Sequence, residues 1–179
     1  GRLVGDMFDG QGFVRGLARK GRPAKGASAL IVGAGGVGSA IAVAMAEAEV
    51  GRLALYDTRS EATEKLADRL QQFFPKLSIQ VGSNDPAGFE IVVNATPMGM
   101  EPGDLLPVDV ERISKETMVG EVVMKKEETP LLRAAQEKGC LTQIGTDMLF
   151  EQIPAYLAFL RLPTTSAENL RSLSRIRYQ

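Results

Sequence analysis

The chain has 179 residues, of which 44% are hydrophobic and 24% charged, and its mean hydropathy is close to zero. This composition predicts a globular domain that is long enough to bury a hydrophobic core of its own. The absence of histidine excludes Ser-His-Asp groups, Cys-His groups and His-ligated metals within the chain, so no metal is expected. The single cysteine, Cys140, excludes an intrachain disulfide.

Charge balance and apolar pattern exclude further kinds of partner. The 21 basic and 22 acidic residues give a net charge of -1, so no bulk charge favours nucleic acid. No apolar run of the sequence approaches the roughly 20 residues that span a bilayer, and the opening segment lacks the layout of a signal peptide. We therefore expect a cytoplasmic protein with neither a membrane nor a nucleic-acid partner.

Short apolar runs alternate with helical patterns along the chain. They predict strands at 28–32, 52–56, 77–81, 90–94, 117–123 and 141–144. They predict helices at about 10–19, 37–49, 61–74 behind an N-cap at Ser60, 129–138, 146–160, and from near 166. Pro154 should bend the fifth helix or limit its start. This alternation is typical of βαβ units and predicts an α/β fold, a doubly wound and mainly parallel sheet of the Rossmann dinucleotide-binding type.

Three regions are expected from this pattern. Residues 28–162 form the dinucleotide-binding domain, and residues 163–179 form a C-terminal helix. Residues 1–27 hold a helix and a linker. Because the sequence begins without methionine and in mid-pattern, we expect residues 1–27 to join an upstream substrate domain of the same protein.

A glycine-rich turn follows the first predicted strand and matches the motif G-x-G-x-x-G. In this context Gly33 permits the tight turn, Gly35 lets the backbone approach a pyrophosphate, and Gly38 allows close packing of helix on strand. The start of the helix then offers N–H groups and a positive dipole end to the phosphates. The alternative is a turn with no ligand. The predicted cofactor-binding residues of the turn are Gly33, Ala34, Gly35, Gly36, Val37 and Gly38.

An acidic residue, Asp57, ends the second predicted strand. In a dinucleotide-binding fold such an acid bonds the ribose hydroxyls of NAD and repels the 2′-phosphate of NADP, so NAD is expected and NADP is disfavoured. Arg59 can stack on adenine or contact a phosphate, or it is a solvated side chain. A methyltransferase that binds S-adenosylmethionine can place an acid at the same point.

Four further motifs resemble those of the shikimate/quinate dehydrogenase family. They are Asp9-Gly10-x-Gly12-Phe13, the run 94–100 (NATPMGM), Thr129-Pro130-Leu131-Leu132, and Gly145-x-x-Met148-Leu149-x-x-Gln152. The resemblance implies an NAD(P)-dependent enzyme that reversibly oxidises a ring secondary alcohol of a cyclic polyhydroxy carboxylic acid. It also implies that this chain is the cofactor-binding half, and that a preceding domain supplies the catalytic lysine and most substrate contacts.

The resemblance also assigns roles to single residues. It makes Asp9 the catalytic partner of that lysine and a ligand of the substrate hydroxyl, and Gln152 a substrate ligand. It places Thr96, Met98, Gly145 and Met148 beside the cofactor. From residue type alone, Asp9 is instead a helix N-cap, Gln152 a solvated side chain and Met148 part of the core.

Two departures from the family pattern lie on the expected substrate side. Met7-Phe8 stand where the family has Asn-Thr, and residues 121–126 (EVVMKK) replace its D-x-x-Y-x-P stretch, so the tyrosine and proline are absent. They indicate a divergent member whose substrate need not be shikimate, or a non-catalytic dinucleotide-binding or regulatory module of the same fold. A methyltransferase fits the proline-containing loop after the fourth strand poorly.

Overall fold

The computed structural model describes residues 1–101 and 103–176. Its strands are β1 (Ser28–Val32), β2 (Arg52–Tyr56), β3 (Ser78–Val81), β4 (Ile91–Asn94), β5 (Met118–Glu121) and β6 (Leu141–Gln143). Its helices are α1 (Asp9–Arg19), α2 (Gly36–Glu47), α3 (Ser60–Phe73), α4 (Pro130–Glu137), α5 (Gly145–Phe159) and α6 (Ala167–Leu173), with a 3₁₀ turn at Val110–Arg112. The sequence analysis missed the 3₁₀ turn. The end of the predicted C-terminal region, 177–179, lies outside the described residues.

The strands form one sheet in the order β3-β2-β1-β4-β5-β6, and every strand pair is parallel. This confirms the predicted doubly wound α/β fold. The strand order reverses between β1 and β4, where Val32 pairs with Asn94. On the far side of β4, Asn94 pairs with Glu121 at the end of β5. Ligands of open parallel sheets bind at the carboxyl ends of the strands beside such a reversal.

Alternating strand residues build a core on each side of the sheet. On one side Ile31, Leu53 and Val93 pack against α1, α2, α3 and α5. On the other side Leu30 and Val92 pack against α4. No helix within the described residues is long and apolar enough to cross a membrane.

Helix α1 contains three glycines because it is wedged between α2 and α5. A Cβ on Gly10 would lie 2.1 Å from the Ala40 carbonyl oxygen in α2, and one on Gly12 would lie 2.7 Å from the Met148 carbonyl oxygen in α5. Phe13, which follows Gly12 in sequence, is fully buried. Helix α1 is therefore part of the layer that covers the sheet, while the expected domain division at residue 27 stays a prediction.

Side-chain hydroxyls cap two of the helix starts, but not the one at which a cap was predicted. Thr129 caps α4, and Ser166 caps α6 by accepting a hydrogen bond from the Asn169 N–H. The prediction of Ser60 as an N-cap was wrong, since Ser60 is the first residue of α3 and Arg59 precedes it as the cap position. Asp57 accepts the Arg59 N–H instead, so the acid that ends β2 also shapes the entry into α3. Pro154 does not limit the start of α5, which begins at Gly145.

The contact between α1 and α2 predicts the effect of a single methyl group. Gly10→Ala should destabilise the fold by about 1–3 kcal/mol, because the new Cβ meets backbone that cannot move without displacing α2. The effect opposes the better helix propensity of alanine, which is worth about 1 kcal/mol. Gly5→Ala is the control, since no atom of the described residues lies within 4 Å of its Cβ position. Denaturant unfolding measures both, and a Gly10→Ala variant as stable as its parent would contradict the packing.

Candidate cofactor-binding site

A groove of about 380 Å³ lies at the carboxyl ends of β1, β4 and β5. Its walls are residues 35–37 after β1, residues 95–97 and Met100 after β4, and residues 122–124 after β5. The groove thus lies at the reversal of strand order. A larger cavity of about 720 Å³ lies elsewhere, between α1, α2 and α3, and it lacks Asp57 and the residues after β4 and β5.

The glycines of the turn have different structural roles. Gly33 has a φ of +107°, which disfavours any side chain, and a Cβ on Gly38 would lie 1.9 Å from the Gly33 carbonyl oxygen. A Cβ on Gly33 would also lie 2.7 Å from the Ala95 carbonyl oxygen, so the turn presses on the loop after β4. At Gly35, by contrast, no atom of residues 1–101 or 103–176 lies within 4 Å of the Cβ position. Gly33 and Gly38 are required by the fold, whereas Gly35 borders open space.

The start of α2 is open to an anion. Gly35 is its N-cap, and in the described part of the chain no side chain caps this end and no acid stands in its first turn. The first N–H groups of a helix have no partner within it, and they carry the positive end of the helix dipole. Gly36 and Val37, which lie in this first turn, also line the groove.

Asp57 fastens the glycine-rich turn to the end of β2. Its Oδ2 accepts the Ala34 N–H at 2.8 Å, while its Oδ1 accepts the N–H of Arg59 at 2.9 Å and the Arg59 Nε at 3.3 Å. Burial raises the pKa of Asp57, but these hydrogen bonds and the Arg59 charge outweigh it and hold that pKa below its usual range. The carboxylate is therefore ionised at neutral pH. This second role of Asp57 was not predicted, because nothing in the sequence indicates a hydrogen bond from the Ala34 N–H.

A hydrogen-bonded loop follows β4. The buried Asn94 donates from Nδ2 to the Met98 carbonyl oxygen at 3.0 Å, and its Oδ1 accepts the N–H and the hydroxyl of Thr96. The Thr96 hydroxyl oxygen accepts the Met98 N–H at 3.1 Å. Thr96 and Met100 line the groove, whereas Met98 does not and anchors the loop through its backbone, so a position beside the cofactor stays a prediction for Thr96 and Met98.

Glu121, at the end of β5, is an acidic residue that the sequence analysis did not single out for a role. It is 1% exposed, and its Oε2 accepts the Thr129 hydroxyl at 2.9 Å. Burial raises the pKa of Glu121 to about 7, against smaller opposing contributions from Thr129 and Asn94. The signal in the sequence was its place at the carboxyl end of an apolar strand, in the family's D-x-x-Y-x-P stretch.

The remaining predicted residues lie on α1 and α5. Gly145 begins α5, where a Cβ would lie 2.2 Å from the Val123 carbonyl oxygen, so α5 starts against a wall of the groove. Met148 is 2% exposed and belongs to the core. Gln152 is partly buried beside Gly12, and its Oε1 is buried without a hydrogen-bond partner among the described residues. Its role stays a prediction.

Asp9 is the first residue of α1, and Phe8 occupies the cap position. The alternative that Asp9 is an N-cap is therefore wrong. Phe8 packs on α5, with its ring centroid 6.4 Å from that of Tyr156 and 5.5 Å from that of Phe159. Residues 1–101 and 103–176 contain no cluster of three or more acidic or cysteine side chains that could hold a metal.

The chain resembles known dehydrogenases over most of its length. It is 37% identical over 170 residues to the quinate/shikimate dehydrogenase (NAD(+)) of Corynebacterium glutamicum (strain R), which covers 90% of this chain and 59% of that protein. It is 30% identical over 151 residues to the shikimate dehydrogenase (NADP(+)) of Pelagibacter ubique (strain HTCC1062), covering 84% and 55%. The crystal structure of shikimate 5-dehydrogenase from Listeria monocytogenes, in complex with shikimate and NAD, superposes with a TM-score of 0.86 at 25% identity, covering 94% of this chain and 63% of that one. The chain belongs to the shikimate/quinate dehydrogenase family.

The extent of the match matters as much as the family. The chain spans 55% to 59% of the length of these two curated relatives. One relative is named for NAD and the other for NADP, so membership of the shikimate/quinate dehydrogenase family leaves the choice of cofactor open. No protein-family model matches the chain.

Because Gly35 and Gly38 have different surroundings, replacing each of them by valine should have a different effect. Gly35→Val should leave the melting temperature near that of the parent and lower dinucleotide affinity at least tenfold, because the side chain fills the space that a phosphate needs. Gly38→Val should lower the melting temperature, because it meets the Gly33 carbonyl. Thermal unfolding and calorimetric titration with NAD check both. Normal NAD binding by a folded Gly35→Val variant would show that the phosphates bind elsewhere.

Proposed function

We propose that this chain is the cofactor-binding half of an NAD-dependent oxidoreductase of the shikimate/quinate type. The observation that carries the proposal is the position of Asp57, whose ionised carboxylate holds the glycine-rich turn beside the open Gly35 and the uncapped start of α2. In this arrangement the Gly35 backbone and the first N–H groups of α2 bind the pyrophosphate. When bound, NAD supplies the carbon that accepts the hydride.

The proposed preference for NAD rests on charge. Oδ1 of Asp57 already accepts two hydrogen bonds from Arg59, whereas Oδ2 accepts the Ala34 N–H and has room for a further donor, so it can accept a ribose hydroxyl of the adenosine half. A 2′-phosphate at the same point would meet an ionised group in a largely buried site, where repulsion is strong. The cation paired with Asp57 among the described residues is Arg59, and its bond to Asp57 Oδ1 engages it with the acid.

The substrate side is proposed to use Asp9 and Gln152, together with a lysine from a preceding domain. Two lysines follow β5, but neither suits the role of proton acceptor. Lys126 is paired with Glu101 at 2.6 Å and donates to the Met100 carbonyl oxygen, and Lys125 is exposed. A domain that brings a lysine to Asp9 would complete the pair that removes the hydroxyl proton.

The apolar departures support a substrate different from shikimate. Phe8 is held by its aromatic contacts with α5, and Met124 is 48% exposed on the wall of the groove. Both present apolar surface where the family pattern has polar groups. We propose that the substrate is a cyclic polyol acid, or a related hydroxy compound, with fewer hydroxyl groups on the edge that faces Phe8 and Met124.

The first test concerns cofactor choice. Asp57→Asn should lower the ratio of the NADP dissociation constant to the NAD dissociation constant about tenfold. The substitution removes the charge that repels the 2′-phosphate and keeps an oxygen that accepts the Ala34 N–H. Asp68→Asn, an exposed acid on α3, is the control and should leave the ratio unchanged. Calorimetry with both cofactors measures it. An unmodified chain that binds NADP as tightly as NAD would refute the assignment.

The second test concerns catalysis. The isolated chain should bind NAD without turnover, and the protein extended by the preceding domain should oxidise a quinate- or shikimate-like alcohol. In that protein Asp9→Ala should lower kcat by roughly 10²–10⁴-fold with little change in NAD affinity. Asp6→Ala, an exposed acid three residues earlier, should match the parent. An extended protein that binds NAD but shows no turnover would favour the non-catalytic module.

A further inference from the structure

Glu121 adjoins the groove through its neighbours in the chain. It ends β5, and the next residues, Val122 and Val123, form a wall of the groove. Strand alternation places its side chain on the α4 side of the sheet, next to Asn94 on β4, which holds the loop that forms another wall. A buried carboxyl group therefore lies behind two of the three segments that would enclose a ligand.

The carboxyl of Glu121 is only half satisfied. Its Oε2 accepts the Thr129 hydroxyl, whereas its Oε1 is buried and has no hydrogen-bond partner among the described residues. The neighbouring Asn94 side chain donates one N–H to the Met98 carbonyl oxygen, and its influence on the Glu121 pKa is smaller than that of burial. An ionised carboxylate is costly in such a buried place, because no cationic side chain among the described residues is paired with it.

No charged side chain balances this carboxyl within the described residues. The partner on β4 is Asn94 and the partner on α4 is Thr129, both neutral. Of the charged groups that follow along the chain, Lys125 and Glu127 are exposed, Lys126 is paired with Glu101, and Glu128 is paired with Arg133. None of them contributes to the shifted pKa of Glu121, which burial raises to about 7.

The side of the groove over Glu121 is the side of the nicotinamide. Asp57 marks the adenosine half at the end of β2, and a dinucleotide extends across the reversal of strand order to the opposite strands. The second half of the cofactor therefore lies over β4 and β5. The nicotinamide ring carries a positive charge when oxidised and none when reduced, so a carboxylate below it favours the oxidised form.

We propose that Glu121 is a specificity-determining residue that discriminates between oxidised and reduced cofactor by its charge. This inference rests on the proposed binding of NAD. The ionised side chain stabilises the cationic nicotinamide of NAD, and the protonated side chain loses that preference. Near neutral pH, binding of NAD expels a proton from Glu121, whereas binding of NADH does not.

The decisive experiment compares the two cofactors across pH. Dissociation constants of NAD and NADH are measured by calorimetry at pH 6.0, 7.0 and 8.5 for the parent, Glu121→Gln and Glu128→Gln. In the parent, the ratio of the NADH constant to the NAD constant should rise about tenfold from the lowest to the highest pH. It should stay constant in Glu121→Gln, which keeps the shape and loses the charge. Glu128→Gln, an exposed acid next to Thr129, should follow the parent.

Proton release gives a second readout that needs no variant. The chain has no histidine, and burial raises the pKa of Cys140 above its ordinary value of 9.0, so few groups other than Glu121 titrate near pH 7. Calorimetry of the parent at pH 7.0 in phosphate and in Tris, which differ in heat of ionisation, should show release of a fraction of a proton with NAD and none with NADH.

A third readout is independent of cofactor. Because the folded pKa of Glu121 is raised from 4.5 to about 7, its relative stabilisation of the fold is complete below pH 4.5 and is lost as the pH rises through 7. The melting temperature of Glu121→Gln should therefore rise relative to that of the parent between pH 5 and pH 7.5. The difference should then stay constant at higher pH.

The outcomes separate this inference from the proposed function. A pH-independent ratio in the parent, or a parent-like pH dependence in Glu121→Gln, overturns the role of Glu121 while NAD binding stands. Equal proton release with NAD and NADH overturns it as well. Failure of the parent to bind either cofactor at any pH overturns the proposed function, and this inference with it.

Discussion

The contact between the start of α2 and the end of β1 is the constraint on which the site depends. Gly38 lies so close to the Gly33 carbonyl that no side chain fits, and Gly33 itself presses on the backbone after β4. Three strand ends are thereby drawn to one point, where the order of the sheet reverses. The groove depends on the close contact of these backbones, which have no side chains between them. Gly35 borders the open space of the groove.

Two buried acids stand on opposite sides of this point, and their surroundings give them opposite properties. Asp57 receives backbone hydrogen bonds and a guanidinium, which outweigh the cost of burial and keep it charged. Glu121 receives one hydroxyl and lacks a cation, so burial dominates and its pKa rises to about 7. The number of donors that the fold aims at each carboxylate decides the difference. One acid is a fixed charge, and the other can change its charge within the physiological pH range.

The sequence predicted the architecture well because its signals are local. Apolar runs of about five residues marked the buried strands, and the glycine-rich turn marked the first crossover, so β1 and β2 agree to the residue. The errors arose where tertiary contacts decide. Ser60 had the right chemistry for a cap, but Asp57 had already engaged the Arg59 N–H, and the helix began one residue earlier than expected. The glycines of α1 were not understood, because their reason is the nearness of two other helices.

The same limit applies to the site. Residues within a motif could be listed from the sequence, whereas Glu121 gained its importance from the distant Asn94, which pairs with it on β4, and from the contact of its side chain with Thr129 at the start of α4. Burial and an unpartnered oxygen are properties of the folded chain, and they could not be read from an acid at the end of an apolar strand.

The packing of α1 has a consequence for the proposed chemistry. Because Gly10 and Gly12 bring this helix into backbone contact with α2 and α5, Asp9 is part of the same rigid layer as the start of α2. Gln152 lies on α5 beside Gly12, in that same layer. Any movement of a preceding domain would therefore leave these two side chains fixed relative to the cofactor groove and would move only the groups that the other domain contributes. The orientation of the substrate hydroxyl would be set by the nucleotide-binding half, while the approach of the base would be set by closure.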